Sequence, residues 1–235
     1  MSGEPRNVVI RSIPRTPPSV LDELASMGTA TVHEASGRRG FVGPSIRPIQ
    51  QGTRIAGNAV TVLSHPGDNM MIHAAVEVCG EGDILVVTNT APSTHGMFGE
   101  LLATSLQRRG VRGLVIDAGV RDTAELRDMG FPVWTQHISC QGTVKETAGS
   151  VNVPVVIGGT IIDPGDVVCA DDDGVVIVRH DDAPWCLERS RARLEKEVAT
   201  RERLQAGELG VDMYGLRQKL EELGVAYVES AEDPL

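Results

Sequence analysis

The stretch from residue 84 to residue 135 most restricts what this chain can become. Three short apolar runs, Ile84-Leu85-Val86-Val87, residues 113–116 and residues 132–135, alternate with segments of helical period at residues 99–109 and 123–129. Runs this apolar read as strands buried on both faces. Strands separated by helices pair in parallel through right-handed crossovers. The expectation is an α/β fold with a largely parallel layer.

The flanks add to this core. Residues 1–18 are polar and dotted with prolines, an N-terminal arm. Residues 19–27 predict a short helix ended by Gly28, and a second begins at Thr29 and closes at Gly37. Residues 53–63 are strand-like, and residues 70–78 predict a helix carrying His73. Residues 142–178 break into short Val/Ile runs, hairpin or barrel-like material, with turns at Pro164-Gly165-Asp166 and Asp171-Asp172-Asp173-Gly174. Residues 183–205 read as a long charged helix, and residues 213–223 as a last amphipathic one. Leu187, Leu194 and Val198 are sparse apolar positions for such a helix. The division expected is an α/β core over 1–182 and a C-terminal helical arm over 183–235 that packs on a neighbouring subunit.

Composition excludes several classes. With 41% hydrophobic and 23% charged residues the chain is globular rather than disordered. Aromatic residues are only 3%, so the core must rest on Val, Ile, Leu and Ala. A net charge of −10 and few rings argue against a nucleic-acid surface. No run approaches the roughly 20 apolar residues of a membrane span. The first residues show no secretory apolar stretch, and Cys79, Cys140, Cys169 and Cys186 form no CxxC pair. They read as reduced, mostly buried thiols of a cytoplasmic protein.

Two stretches can carry chemistry. In Gly113-Leu114-Val115-Ile116-Asp117-Ala118-Gly119-Val120-Arg121-Asp122 a buried strand runs into acid, glycine, arginine and acid. Ligand sites of parallel sheets lie beyond strand C-terminal ends. Arg121 offers a planar fork for a carboxylate or enolate oxygen, and Asp122 a hard ligand for Mg²⁺ or Mn²⁺. The plainer alternative is that Asp122 caps the helix beginning at Thr123. In Gly96-Met97-Phe98-Gly99-Glu100-Leu101-Leu102-Ala103-Thr104 a glycine opens a helix, whose free amides at Leu101 and Leu102 would hold a small anion. Glu100 in that first turn would help the dipole or hold a metal-bound water. Together these describe a site for a 2-oxo acid. His33 and His73 read as structural histidines, and Glu34 is left open. Lys145 reads as a surface lysine, with a Schiff-base amine as the alternative. The aspartate run at 171–173 reads as a turn. No glycine-rich nucleotide loop is present.

Gly99-Glu100-Leu101-Leu102-Ala103-Thr104 followed by Val115-Ile116-Asp117-Ala118-Gly119-Val120-Arg121-Asp122 resembles the class II 4-hydroxy-4-methyl-2-oxoglutarate/4-carboxy-4-hydroxy-2-oxoadipate aldolases. That branch lies in a wider family that also holds a regulator of ribonuclease activity. The likeness extends over about residues 8–228. It includes Thr29-Ala30-Thr31-Val32-His33-Glu34-Ala35, Pro66-Gly67-Asp68-Asn69, Gly149-Ser150-Val151-Asn152-Val153-Pro154-Val155 and Ala170-Asp171-Asp172-Asp173-Gly174.

The resemblance implies a swivelling β/β/α core with mixed sheets, assembled as a hexamer or trimer. It implies Mg²⁺ or Mn²⁺ held directly by Asp122, and the pyruvyl C2 oxygen on Arg121. The substrate carboxylate would lie on the amides of Gly99, Glu100, Leu101 and Leu102. Glu100 and a neighbouring subunit's Glu197 would contact waters of the metal. The family would more often carry aspartate where this chain has Glu100. The implied reaction is retro-aldol cleavage to pyruvate plus pyruvate or oxaloacetate through a pyruvate enolate, in bacterial protocatechuate or gallate degradation. Oxaloacetate decarboxylation, through the same enolate, is expected at the same site. A non-catalytic regulator that binds a ribonuclease or helicase is the alternative, though the relatives of that kind are shorter and lack the arm with Glu197. A lysine-dependent aldolase acting through Lys145 is a further one. A quinone-precursor methyltransferase has no cofactor loop to support it.

Overall fold

A computed structural model describes residues 7–230. The start of the proline-dotted arm, residues 1–6, and the end of the helical arm, residues 231–235, lie outside the described residues. The strands are β1 (Arg47–Pro48), β2 (Ile55–Ser64), β3 (Asp83–Asn89), β4 (Gly96–Phe98), β5 (Gly113–Val120), β6 (Val133–Ile138), β7 (Ser150–Val151), β8 (Val155–Ile157), β9 (Thr160–Ile162), β10 (Val167–Asp171) and β11 (Gly174–Val178). The helices are α1 (Pro18–Met27), α2 (Thr29–Ala35), α3 (Met70–Val76), α4 (Glu100–Gln107), α5 (Thr123–Asp128), α6 (Ala183–Gln205), α7 (Gly210–Met213) and α8 (Leu216–Glu222).

The expected parallel layer is present. β2, β3, β5 and β6 pair in parallel in that order, with α3, α4 and α5 between them in sequence. Alternate residues of these strands enter two cores, which is why the apolar runs of β3 and β5 show no polar alternation. Val60, Val62, Leu85, Val87, Leu114 and Ile116 pack with Ile72 of α3, Leu106 of α4 and Leu126 of α5. Ala59, Ile84, Val86 and Val115 face the other way, onto Val155 and Ile162 of the β8–β9 hairpin and onto Val168 and Ile177. Helices cover one face and a second β layer the other, the β/β/α arrangement.

The sheet is mixed because β10 pairs antiparallel with both β2 and β11. It also curls. β6 and β10 stand at opposite ends of the path β6-β5-β3-β2-β10, yet the Trp134 indole N–H donates to the Asp171 carbonyl at 2.7 Å. A small aliphatic core with one buried tryptophan closes the gap.

Two sequence expectations need correction. The strand predicted over residues 113–116 runs on to Val120, across an irregularity between Ile116 and Gly119. The last helix predicted over residues 213–223 is the shorter α8: α7 ends at Met213, and Gly215 takes a left-handed conformation with φ 63° before Leu216. Cys79, Cys169 and Cys186 are buried as expected, and Cys140 is exposed.

The chain divides into two compact units between Arg191 and Ala192. The first turns of α6 belong to the first unit because Ala183, Cys186, Leu187 and Ser190 are buried. The second unit holds the rest of α6 with α7 and α8, and exposes Val198, Leu209, Tyr214 and Leu223. No helix among the described residues is long and apolar enough to cross a membrane.

Candidate active site

The site arises because β4 and β5 are parallel neighbours. Gly96 pairs with Gly119 and Phe98 with Val120, and the Arg121 N–H donates to the Phe98 carbonyl at 2.9 Å. Both strands therefore end at the same level. β4 passes directly into α4, and β5 passes into Arg121-Asp122 and α5. Gly119 is needed for the close approach of the strands: a Cβ there would lie 2.7 Å from the carbonyl oxygens of Thr94 and His95. Gly119 itself has no left-handed backbone angle. The left-handed position here is Asp122, a non-glycine residue at φ 55°, ψ 41°.

The left-handed turn decides what Asp122 does. Asp122 occupies the N-cap position of α5 but makes no side-chain cap bond to that helix. Its Oδ2 instead accepts the Glu100 N–H, at the start of α4, at 3.2 Å. Arg121 Nε lies 3.6 Å from the same oxygen. Gly99 is packed beneath this pair. Its backbone is extended, φ −160°, so any residue could adopt it, but a Cβ would meet Asp122 Oδ2 at 2.3 Å.

The amides of Leu101 and Leu102 lie in the first turn of α4, where no carbonyl four residues back belongs to the helix. They are available to an anion. The Leu101 side chain is exposed, whereas Leu102 is buried in the core. Glu100 accepts the Thr104 hydroxyl at 2.9 Å along its own helix.

A pocket of about 110 Å³ opens here, lined by Gly99, Leu101, Leu102, Arg121 and Asp122. Asn69, His73 and Lys145 also line it, with Gly96, Met97 and Phe98. Asn69 Nδ2 donates to the Met97 carbonyl at 3.1 Å, while its buried Oδ1 has no partner. Burial first, and the nearby charge of Lys145 second, hold His73 below the usual histidine range. His73 and Lys145 had read as structural and surface residues. Nothing local distinguishes them, because the pocket joins positions 72 residues apart.

Among the described residues no three His, Cys, Asp or Glu side chains gather as a metal cage. The donor set instead suits a cation that keeps most of its water and takes one protein carboxylate plus substrate oxygens, as Mg²⁺ commonly does. Asp122 fits this: Oδ2 is engaged by Glu100 and Arg121, and Oδ1 makes neither contact.

A family model described as "RraA-like: Aldolase/RraA" matches residues 19–177, which include every one of these pocket residues. The chain belongs to the RraA-like family. Among its relatives, a protein of Halalkalibacterium halodurans named "Putative 4-hydroxy-4-methyl-2-oxoglutarate aldolase" is 24% identical over 72% of this chain and 81% of its own length. One of the same name from Burkholderia multivorans is 36% identical over 66% of this chain and 95% of its own length. The crystal structure of Streptomyces coelicolor RraAS2, described as an unusual member of the RNase ES inhibitor RraA protein family, superposes with a TM-score of 0.72. It is 27% identical, covering 80% of this chain and all of that one.

In this RraA-like chain the pocket thus gathers Gly99, Leu101, Leu102, Arg121 and Asp122, with Glu100 in the adjoining helical turn. Glu197 belongs to the second unit, on α6, where its carboxylate is 2.9 Å from Arg193. His33 lies elsewhere, edge-on to Phe41 with ring centroids 6.2 Å apart. Asp171 is a buried structural carboxylate that accepts the Thr29 N–H at 2.8 Å and hydroxyl at 2.5 Å.

Proposed function

We propose that this chain is a divalent-metal-dependent pyruvate aldolase. Its substrates would be 4-hydroxy-4-methyl-2-oxoglutarate, 4-carboxy-4-hydroxy-2-oxoadipate or both. The carrying observation is the convergence of the left-handed Asp122, the Arg121 guanidinium and the free first-turn amides of α4 on one small pocket. The names of the relatives from H. halodurans and B. multivorans support the same reading.

The Leu101 and Leu102 amides bind the C1 carboxylate and fix the 2-oxo acid head. Arg121 hydrogen-bonds the C2 oxygen and stabilises the negative charge that collects there. Asp122 would hold Mg²⁺ or Mn²⁺, which would supply Lewis-acid stabilisation of that same charge. The C4 hydroxyl gives up its proton, the C3–C4 bond breaks, C4 becomes a ketone and the electron pair passes into the pyruvate enolate. Protonation at C3 then releases pyruvate. The other product is a second pyruvate from the methyl substrate, or oxaloacetate from the carboxymethyl one. Loss of CO₂ from oxaloacetate leaves the same enolate, so the same residues serve decarboxylation. Asn69 Oδ1 is a ready acceptor for a hydroxyl of the bound acid. Glu100 and Glu197, the latter from a neighbouring copy in a hexamer or trimer, would orient water and carry protons. Apolar residues exposed on the second unit support such assembly.

The partial reaction is a direct test. In D₂O with Mg²⁺ the protein should exchange the methyl protons of pyruvate, and Asp122→Asn should lower that exchange at least 100-fold. Exchange that survives Asp122→Asn contradicts the assignment, and full activity in a monomer contradicts the role given to Glu197. The description of the Streptomyces structure, which names an RNase ES inhibitor family, favours a second reading, a non-catalytic regulator that binds a ribonuclease; a helicase is the alternative partner in that reading. Inhibition of a ribonuclease without any exchange would put that reading first.

A further inference from the structure

Lys145 reaches the pocket on a short irregular segment, and that segment is tied down on both sides of it. Before Lys145, the Val144 N–H donates to the Gly67 carbonyl at 2.9 Å, and the Val144 carbonyl accepts the Asn69 N–H at 3.1 Å. After it, the N–H groups of Glu146 and Thr147 both donate to Asp68 Oδ2 at 2.7 Å. Asp68 Oδ1 accepts the Met70 N–H at 2.9 Å, at the start of α3, and the Asp68 carbonyl accepts the Ser64 hydroxyl at 2.8 Å.

Asp68 is 1% exposed, whereas residues 144–147 are all exposed. A buried carboxylate thus anchors an exposed segment that has no core of its own. Burial opposes the Asp68 charge, but the three backbone donors and the Thr147 side chain together outweigh it and hold the carboxyl below the usual carboxylate range. An untied surface lysine would sample many rotamers and backbone positions, and fixing both flanking peptides removes much of that freedom.

The pocket therefore has two cationic walls. One is Arg121 with the α4 amides, which takes the 2-oxo acid head. The other is Lys145 beside His73, which no part of a pyruvyl group requires. We propose that Asp68 is a positioning residue for Lys145, and that Lys145 so placed selects 2-oxo acids that carry a second, distal carboxylate. The proposal rests on the pocket taking a 2-oxo acid at the start of α4.

Calorimetric binding tests it on the full chain with Mg²⁺. The probes are 2-oxoglutarate, which has the distal carboxylate, and 2-oxobutanoate, which lacks it. The wild type should prefer 2-oxoglutarate about tenfold or more, the scale of a charge-assisted contact. Lys145→Ala and Asp68→Asn should each remove most of that preference and leave 2-oxobutanoate affinity within about twofold. The double variant should be no worse than Lys145→Ala alone, because both act through one side chain. Glu146→Pro removes one amide donor from the exposed side and should lower the preference too, even if Asp68→Asn fails to fold. A preference absent from the wild type, retained in folded Asp68→Asn or in Glu146→Pro, or lost additively in the double variant, overturns the proposal. A wild type that shows the preference but releases no pyruvate would remove the aldolase reading and leave this one standing. A wild type that cleaves while Asp68→Asn keeps the preference would do the reverse.

Discussion

Arg121→Ala should lower kcat for 4-hydroxy-4-methyl-2-oxoglutarate by about 100- to 1000-fold, the effect of removing one hydrogen-bond donor from a developing oxyanion. The loss should fall on kcat more than on KM, since the contact strengthens as charge moves to the C2 oxygen. Oxaloacetate decarboxylation should fall by a similar factor, because it builds the same enolate. Stability should change little: the Arg121 side chain is half-exposed, and its ion pair with Asp122 is long. Arg121→Lys should restore only part of the activity, because an ammonium lacks the planar fork. Steady-state kinetics on both substrates, with a thermal midpoint for each variant, check this. Unchanged turnover in Arg121→Ala would sink the assignment of the electrophile.

Gly99→Ala should be nearly as damaging, although it adds one methyl group outside the reacting set. The backbone at Gly99 is extended and carries no penalty for alanine. The added Cβ would sit 2.3 Å from Asp122 Oδ2 and 3.1 Å from Arg121 Cγ, so both side chains must move. A displacement of about 1 Å in such a constellation costs on the order of 100-fold in rate. Divalent-metal affinity should weaken in parallel, while the thermal midpoint stays close to wild type because Asp122 can swing toward solvent. A Gly99→Ala protein with normal kinetics and normal metal affinity would show that Asp122 does not act from the position described.

Much of this was legible in the sequence, for reasons that can be named. Strands β3 and β5 declared themselves because burial on both faces leaves no polar alternation, and α4 and α5 because each keeps an apolar stripe against that layer. The stretches around Gly99 and Arg121 stood out because glycine, acid and arginine at a strand or helix end are hard to explain as core. What decides the site was not legible. The left-handed Asp122 leaves no local mark, so the sequence did not tell a carboxylate that caps α5 from one that crosses to α4, as this one does. The curl that brings Trp134 to Asp171, and the pocket that brings His73 to Lys145, depend on pairing between distant segments. The break at Gly215 passed unseen because a glycine within an amphipathic pattern is compatible with a continuous helix.

We propose that one pocket, built at the ends of β4 and β5, cleaves a carbon–carbon bond with the help of a divalent cation. The most direct measurement is pyruvate release from 4-hydroxy-4-methyl-2-oxoglutarate, coupled to lactate dehydrogenase, with and without excess chelator. Chelator should abolish release, and added Mg²⁺ or Mn²⁺ should restore it. Release that persists in chelator, with a borohydride-trapped adduct on Lys145, would contradict the proposal and move the chemistry to that amine. No release from this substrate, from 4-carboxy-4-hydroxy-2-oxoadipate or from oxaloacetate would contradict it as well.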